Sequence, residues 1–189
     1  TVSPSVLIPR PESEDLISLF LELTASEIAE KVLIDVGTGS GCLGITAKLE
    51  RSNLSVILSD ISKPALNIAE KNANALNADV HIQQQSLLNG QLKPVDYIFA
   101  NLPYVDKNWD VSPELQYEPD IALFAEDEGL KLILQLISQA PRCLTPEGLL
   151  FIEADPQQHN RIIDEAVKNS FVRERVLNYI LVLRFTGAQ

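Results

Sequence analysis

Apolar and polar positions change period along the chain, and the changes mark its elements. From Glu12 onward, Leu16, Leu19, Phe20, Leu23 and Ile28 recur at helical spacing. Pro11 suits a first helical turn, and Glu12, Glu14 and Asp15 favour the positive end of the helix dipole. The first ten residues are extended and punctuated by Pro4 and Pro9. Short apolar runs then alternate with helical patterns. Strands are predicted at Val32–Val36, Val56–Asp60, from Val80, at Val95–Ala100 and at Gly148–Glu153. Helices are predicted at Cys42–Glu50, Pro64–Leu76, Gly129–Ala140 and Gln157–Lys168. The tail from Phe171 to Thr186 reads as two further strands.

Strands that alternate with helices pair in parallel and build a doubly wound α/β sheet. The strand runs are nearly continuously apolar, as buried parallel strands require. Two strands in succession at the end predict an antiparallel edge hairpin. Ligands in such sheets sit at the strands' carboxyl ends. The glycine turn after Val36, Asp60 and Asn101 all fall there and are expected to line one crevice.

Length and charge narrow the function. The chain has 189 residues, about one domain's worth. Segment 1–30 reads as an extended lead-in and helix, and 31–189 as the α/β domain. The formal net charge is −11, from 15 basic and 26 acidic residues. That argues against broad nucleic-acid binding, which rests on many Lys and Arg contacts to phosphate. No apolar run approaches the length of a membrane span. Cys42 and Cys143 lack metal-ligand spacing, so neither a disulfide framework nor a zinc site is signalled, and two buried thiols in a reducing cytosol are expected. His81 and His159 have no evident partners, and Trp109 reads as an anchoring aromatic. Glu126, Asp127 and Glu128 read as the acidic start of a helix. There is no secretory leader pattern. The chain opens at Thr1 without Met, so a further N-terminal segment is expected.

Two stretches carry chemistry. Gly37-Thr38-Gly39-Ser40-Gly41 follows a strand and opens a helix, and Gly39, Gly41 and Gly44 also fit G-x-G-x-x-G. Glycines there permit a tight turn and close approach of backbone to ligand. Asp60 follows at the distance where a carboxylate can accept from ribose hydroxyls. Either a dinucleotide or another adenosine cofactor satisfies this pattern, and Asp60 could instead only cap the next helix. Asp35 discriminates. A carboxylate beside a pyrophosphate is unfavourable, whereas S-adenosylmethionine has no phosphate and a cationic end. Asp35 also suits a purely structural acceptor for the turn's N–H groups.

The second stretch is Asn101-Leu102-Pro103-Tyr104, at the exit of a central strand. The Asn101 side-chain carbonyl and the Leu102 backbone carbonyl can each accept from one hydrogen of an –NH₂ group. Pro103 stiffens the turn, and Tyr104 offers a face to a flat group. Two acceptors on an amide or aromatic amine localise its lone pair and aim it at a methyl donor. No general base is obligatory.

The motifs together resemble the release factor glutamine methyltransferases, the HemK-like family. Leu7-Ile8-Pro9-Arg10-Pro11-Glu12-Ser13-Glu14 is similar to that family's L-I-P-R-P-E-[TS]-E segment. Asp35 to Gly41 resembles its S-adenosylmethionine motif, and Asp60-Ile61-Ser62 with Ala65-Leu66 its next. Asn101 to Tyr104 resembles its N-P-P-Y motif, with Leu102 in place of the first proline. Tyr117-Glu118-Pro119, Ala122-Leu123, Gly129-Leu130 and Gly148 to Glu153 with Gln157 or Gln158 extend the series. The resemblance implies a seven-stranded Rossmann-like sheet and methylation of the glutamine amide in the Gly-Gly-Gln loop of peptide chain release factors. It implies S-adenosylmethionine as cofactor, a release factor as partner, a cytoplasmic setting and a separate N-terminal domain that grips the release factor. It implies Gly37, Thr38, Gly39, Ser40 and Gly41 at the methionine end, Asp60 at the ribose, Leu87 at the adenine, and Asp35, Ile61 and Ser86 among the cofactor-binding residues. Arg10 falls where it can steer the methionine carboxylate, and Asn101 where it touches cofactor and substrate. Ser86 stands where the family usually has Asp, and Ala125 and Glu126 where it has a glycine-containing turn. The competing readings are an adenine methyltransferase of nucleic acid, an NAD-dependent oxidoreductase and an inactive cofactor-binding scaffold.

Overall fold

Parallel pairing sets the centre of the structure. Strand β1 (Lys31–Val36) lies between β2 (Leu54–Asp60) and β4 (Val95–Ala100), with β3 (His81–Gln84) beyond β2 and β5 (Leu144–Glu153) beyond β4. The computed structural model describes residues 1–3, 6–91, 93–106, 108–109 and 123–187. Tyr117 to Pro119 and Ala122 of the resemblance lie outside the described residues. The seven-stranded sheet has the order β3-β2-β1-β4-β5-β7-β6, where β6 is Phe171–Leu177 and β7 is Ile180–Phe185. The hairpin therefore sits at the sheet's edge as the tail predicted. Its second strand, β7, inserts between β5 and β6 and runs antiparallel to both.

Helices cover both faces. Helix α1 (Glu14–Leu23), α2 (Cys42–Glu50) and α3 (Lys63–Ala75) bury Leu16, Phe20, Ile45 and Ala69 against Leu33, Leu58 and Phe99. Helix α4 (Lys131–Gln139) and α5 (His159–Lys168) bury Ile133, Ile137 and Ile162 against Ile34, Ile98 and Ile152. Neighbouring strand residues such as Leu33 and Ile34 thus serve opposite faces, as strand pleating dictates. Phe20 stands edge-on to Tyr97, Phe99 and Phe151 at 5.4, 5.1 and 5.9 Å, which fixes α1 to the sheet.

Beyond shifts of one or two residues at other element ends, three boundaries differ from the sequence reading. Helix α1 ends at Leu23, where the backbone leaves helical dihedrals at Thr24 (φ −106°, ψ 15°), whose hydroxyl and N–H both donate to the Phe20 carbonyl at 2.7 and 3.0 Å. Ile28 consequently lies beyond the helix and is 92% exposed. The strand predicted from Gly148 begins at Leu144, whose partner is Val95, and an irregularity then shifts the register to Tyr97 opposite Leu149. Asp127, Glu128 and Gly129 take left-handed φ of 56°, 55° and 82°, so the acidic run is a turn ahead of α4 and not its first turn. Asp127 and Glu128 pair there with Arg161.

Strand order reverses between β1 and β4: α2 leaves β1 on one face and the chain after β4 returns through α4 on the other. A crevice opens at such a switch point. No helix among the described residues is long and apolar enough to cross a membrane.

Candidate functional site

A cavity of about 740 Å³ occupies that crevice. Its floor is the exits of β1, β2 and β4, and its rim is the arm and first helical turns from Val6 to Ser18. Arg10, Asp35, Gly37, Thr38, Gly39, Ser40, Asp60, Ile61, Ser86, Leu87, Asn101, Leu102 and Pro103 all line it, so the sequence brings these together as expected. Gly41 and Tyr104 do not. Gly41 caps α2 beneath the turn, and Tyr104 packs toward the core with its hydroxyl 3.4 Å from Glu153 Oε1. Trp109 is also off the wall.

The turn after β1 is held from behind by Asp35. Its Oδ2 accepts from the Thr38 hydroxyl at 2.6 Å and from the Gly44 N–H at 3.0 Å, which satisfies one of the orphan donors of α2. Asp35 is buried, and desolvation pushes its carboxyl up to about 6, while the Thr38 and Gly44 bonds pull the other way. Gly37 has a φ of 70°, and a Cβ there would stand 2.8 Å from Leu102 Cδ2. The glycine turn and the Asn101 exit are therefore packed directly on each other.

Asp60 ties the turn to α3. Its Oδ2 accepts from the Gly39 N–H at 3.0 Å and its Oδ1 from the Ser62 N–H at 2.8 Å. Each oxygen keeps a lone pair for a ligand hydroxyl. Ser62 caps α3 by accepting from the Ala65 N–H at 3.3 Å. Leu87 takes a left-handed φ of 50° and is buried at the wall, with Ser86 exposed beside it.

Asn101 makes the contacts that the sequence reading missed. Its Nδ2 donates to Ser13 Oγ at 3.1 Å and to Glu153 Oε2 at 2.9 Å. The Ser13 hydroxyl donates to the same Oε2 at 2.6 Å. Burial raises the Glu153 carboxyl, against the hydrogen bonds from Ser13, Tyr104 and Asn101, and Glu12 adds to the rise. Burial likewise raises the Tyr104 hydroxyl, as does Glu153. Gln158 Nε2 donates to the carbonyls of Tyr104 and Glu128, both at 2.8 Å, and so fastens the exit to the acidic turn. The sequence signal for Glu153 was available: it is a carboxylate closing an apolar run, as Asp60 is.

Of the two thiols, Cys143 is buried and Cys42 is exposed, because Cys42 opens α2 at the cavity wall. His159 is buried with its Nε2 3.2 Å from the Ala154 carbonyl, and His81 is exposed at the start of β3. No group of three or more His, Cys, Asp or Glu among the described residues could hold a metal ion.

A mixed sheet with this order, a glycine turn on β1, an acidic residue ending β2 and an amide ending β4 defines a methyltransferase-type domain. Residues 14–116 match the family described as Methyltransferase small domain. The release factor glutamine methyltransferase of Lactococcus lactis subsp. lactis is 38% identical over 160 residues, covering 83% of this chain and 58% of that protein. The one of Bacteroides thetaiotaomicron is 33% identical over 193 residues, covering 93% of this chain and 68% of that protein. The crystal structure of ribosomal protein L11 methylase from Lactobacillus delbrueckii subsp. bulgaricus superposes with a TM-score of 0.68 at 26% identity, over 94% of this chain and 81% of that one. The chain belongs to the release factor glutamine methyltransferase family. It spans less than two thirds of the Lactococcus relative, 58% of its length.

Proposed function

We propose that this chain transfers a methyl group from S-adenosylmethionine to the side-chain amide nitrogen of a glutamine, the one in the Gly-Gly-Gln loop of peptide chain release factors. The observation that carries this is the cavity-lining Asn101 amide. Both hydrogens of its Nδ2 are taken by Ser13 and Glu153, which leaves Oδ1 as the end that serves a ligand.

The residues present fit the cofactor. The volume lies within the roughly 300–1,000 Å³ of small-molecule sites. Gly37 to Ser40 supply close backbone, Asp60 keeps acceptor capacity for a ribose, and Ile61 and Leu87 supply apolar surface for a flat base. Arg10 lines the same wall as a counter-charge for a carboxylate. Asp35 places a buried carboxyl behind the turn without a phosphate to oppose it. When bound, S-adenosylmethionine supplies an electrophilic methyl group on sulfur.

The chain's part is positioning. Asn101 Oδ1 and the Leu102 carbonyl accept the two hydrogens of the glutamine –NH₂ and hold its nitrogen toward the methyl donor. The nitrogen would gain the methyl carbon as the sulfur–methyl bond breaks, leaving a neutral thioether, and would give up one proton to solvent. Leu102 is buried against Gly37, which fixes the backbone that carries its carbonyl.

The test is methyl transfer with a release factor, a ribosomal protein and DNA offered side by side. The release factor is expected to be labelled, at the glutamine alone. Labelling of DNA and not of the release factor would transfer the same acceptor pair to an exocyclic amine and overturn the reading. Asn101→Ala should lose on the order of a hundredfold in single-turnover rate, since it unplaces the reacting group.

A further inference from the structure

An asparagine amide has two ends of opposite hydrogen-bonding sense and nearly identical shape. With Oδ1 toward the cavity it accepts from an –NH₂ group. Rotated by half a turn it would present Nδ2 and repel that group. Something must choose the orientation.

In this structure the choice is made by two residues from distant parts of the chain. Nδ2 of Asn101 uses both its hydrogens, toward Ser13 Oγ at 3.1 Å and Glu153 Oε2 at 2.9 Å. Ser13 spends its only hydrogen on the same Oε2, at 2.6 Å, so toward Asn101 its oxygen can only accept. Glu153 is 1% exposed and Ser13 is 6% exposed. An ionised carboxylate is acceptor-only, so it sets the sense of the whole triangle. Its other oxygen, Oε1, receives the Tyr104 hydroxyl at 3.4 Å.

This carboxylate is expensive to keep. Burying a charge is costly unless it is paired. The charged group whose field bears most on Glu153 is another carboxylate, Glu12. Tyr179 and Asp155 act on the neighbouring Tyr104 hydroxyl, and neither supplies a cation. The Glu153 backbone pairs with Ile180 of β7, so the side chain is not needed to complete the sheet. A structural role would be filled at less cost by an apolar residue.

We infer that Glu153 and Ser13 are positioning residues that fix the Asn101 amide with its carbonyl toward the substrate. The inference rests on the amide-transfer reading above. It also assigns a task to the N-terminal arm: the bond from Ser13 to Glu153 ties the cavity's rim to the exit of β5.

The experiment uses Glu153→Gln, Ser13→Ala and Ser13→Thr in the full chain. Glu153→Gln gives Asn101 a partner that can donate, and its single-turnover rate should fall on the order of a hundredfold. For Glu153→Gln, cofactor affinity and KM for the release factor should stay near wild type, because Glu153 does not line the cavity. Ser13→Ala should lose about tenfold, one hydrogen bond's worth, and Ser13→Thr, which restores the hydroxyl, should recover the rate. The rate of wild type should also drop toward acid pH as Glu153 takes up a proton and becomes a donor, and Glu153→Gln should lose that limb.

A second readout needs no turnover. The Asn101 side-chain amide resonances should move with pH in wild type and stay fixed in Glu153→Gln. An unchanged single-turnover rate in folded Glu153→Gln would overturn the inference. If Glu153→Gln does not fold, equal rates for Ser13→Ala and Ser13→Thr would do so. A wild-type chain that labels no release factor while its Asn101 resonances follow Glu153 would sink the proposed function and leave the positioning intact.

Discussion

The backbone of Gly129 crosses the carbonyl of Tyr104 so closely that a Cβ on Gly129 would stand 1.9 Å from the oxygen. The same Cβ would lie 2.7 Å from Gln158 Nε2, which donates to that carbonyl. The turn before α4 thus presses on the strand exit that carries the proposed acceptor pair.

Gly129→Ala should therefore destabilise the chain by about 2–4 kcal/mol, from a left-handed φ and an overpacked backbone contact. Gly90→Ala is the control. Gly90 also has a positive φ, 93°, but its Cβ would meet nothing within 4 Å. It should cost only about 1–2 kcal/mol. Urea unfolding of the pair separates conformational strain from collision, and equal losses would mean the Tyr104 contact yields freely.

Asp60→Ala should weaken S-adenosylmethionine binding on the order of tenfold to a hundredfold, the worth of a charged hydrogen bond of about 1.5–3 kcal/mol. Part of that loss would come from freeing the Gly39 and Ser62 N–H groups. Asp60→Asn keeps an acceptor and should lose less. Calorimetric titration with the cofactor distinguishes the outcomes, and an unchanged dissociation constant in a folded variant would remove Asp60 from the site.

Much of this site was legible because strand ends are legible. Apolar runs closing in Gly37, Asp60 and Asn101 place those residues at one edge of a parallel sheet whatever the helices do. The hairpin, too, followed from two strand patterns with no helix between them. Ser13 was not readable in its role, because its partner lies 140 residues away and no local period encodes that pairing. Ile28 misled because it continued a helical spacing, whereas the backbone already leaves the helix at Thr24. The exposure of Cys42 depends on which way α2 leaves the sheet, and composition carries no such information.

Asp35 makes a pH prediction. Its carboxyl is raised from 3.8 to about 6 in the folded chain. Between those values the folded state holds a proton that the unfolded state has released, so this group's contribution is present below the lower value and is lost as pH rises through the upper one. The loss amounts to about 3 kcal/mol. Asp35→Asn should flatten that decline. Urea midpoints of the two proteins across the acid range, taken as a difference to cancel the other carboxylates, check it. Parallel curves would contradict the burial of the charge.

Leu102→Pro should keep most of the methyl-transfer rate, since the backbone carbonyl at that position remains and a following proline already favours extended backbone there. Leu102→Ala should instead loosen the contact with Gly37 and cost stability, about 2–5 kcal/mol for a buried leucine. Single-turnover rates and unfolding midpoints for both variants separate the carbonyl from the side chain. A collapse of the rate in a stable Leu102→Pro would show that the side chain, not the carbonyl, does the work.

The insertion of β7 between β5 and β6 has a consequence for the order of assembly. Glu153 and Ile180 face each other across that pairing, so the outer flank of β5 is closed by a strand that follows it by way of α5 and β6. On a translating ribosome the first five strands can pair while that flank still shows bare N–H and C=O groups, the kind of edge that recruits another chain. The triangle of Ser13, Asn101 and Glu153 then sits beside an unsealed seam until β7 emerges. Nascent chains should gain protease resistance and cofactor binding late and together, when β7 slots in from the far side of β6.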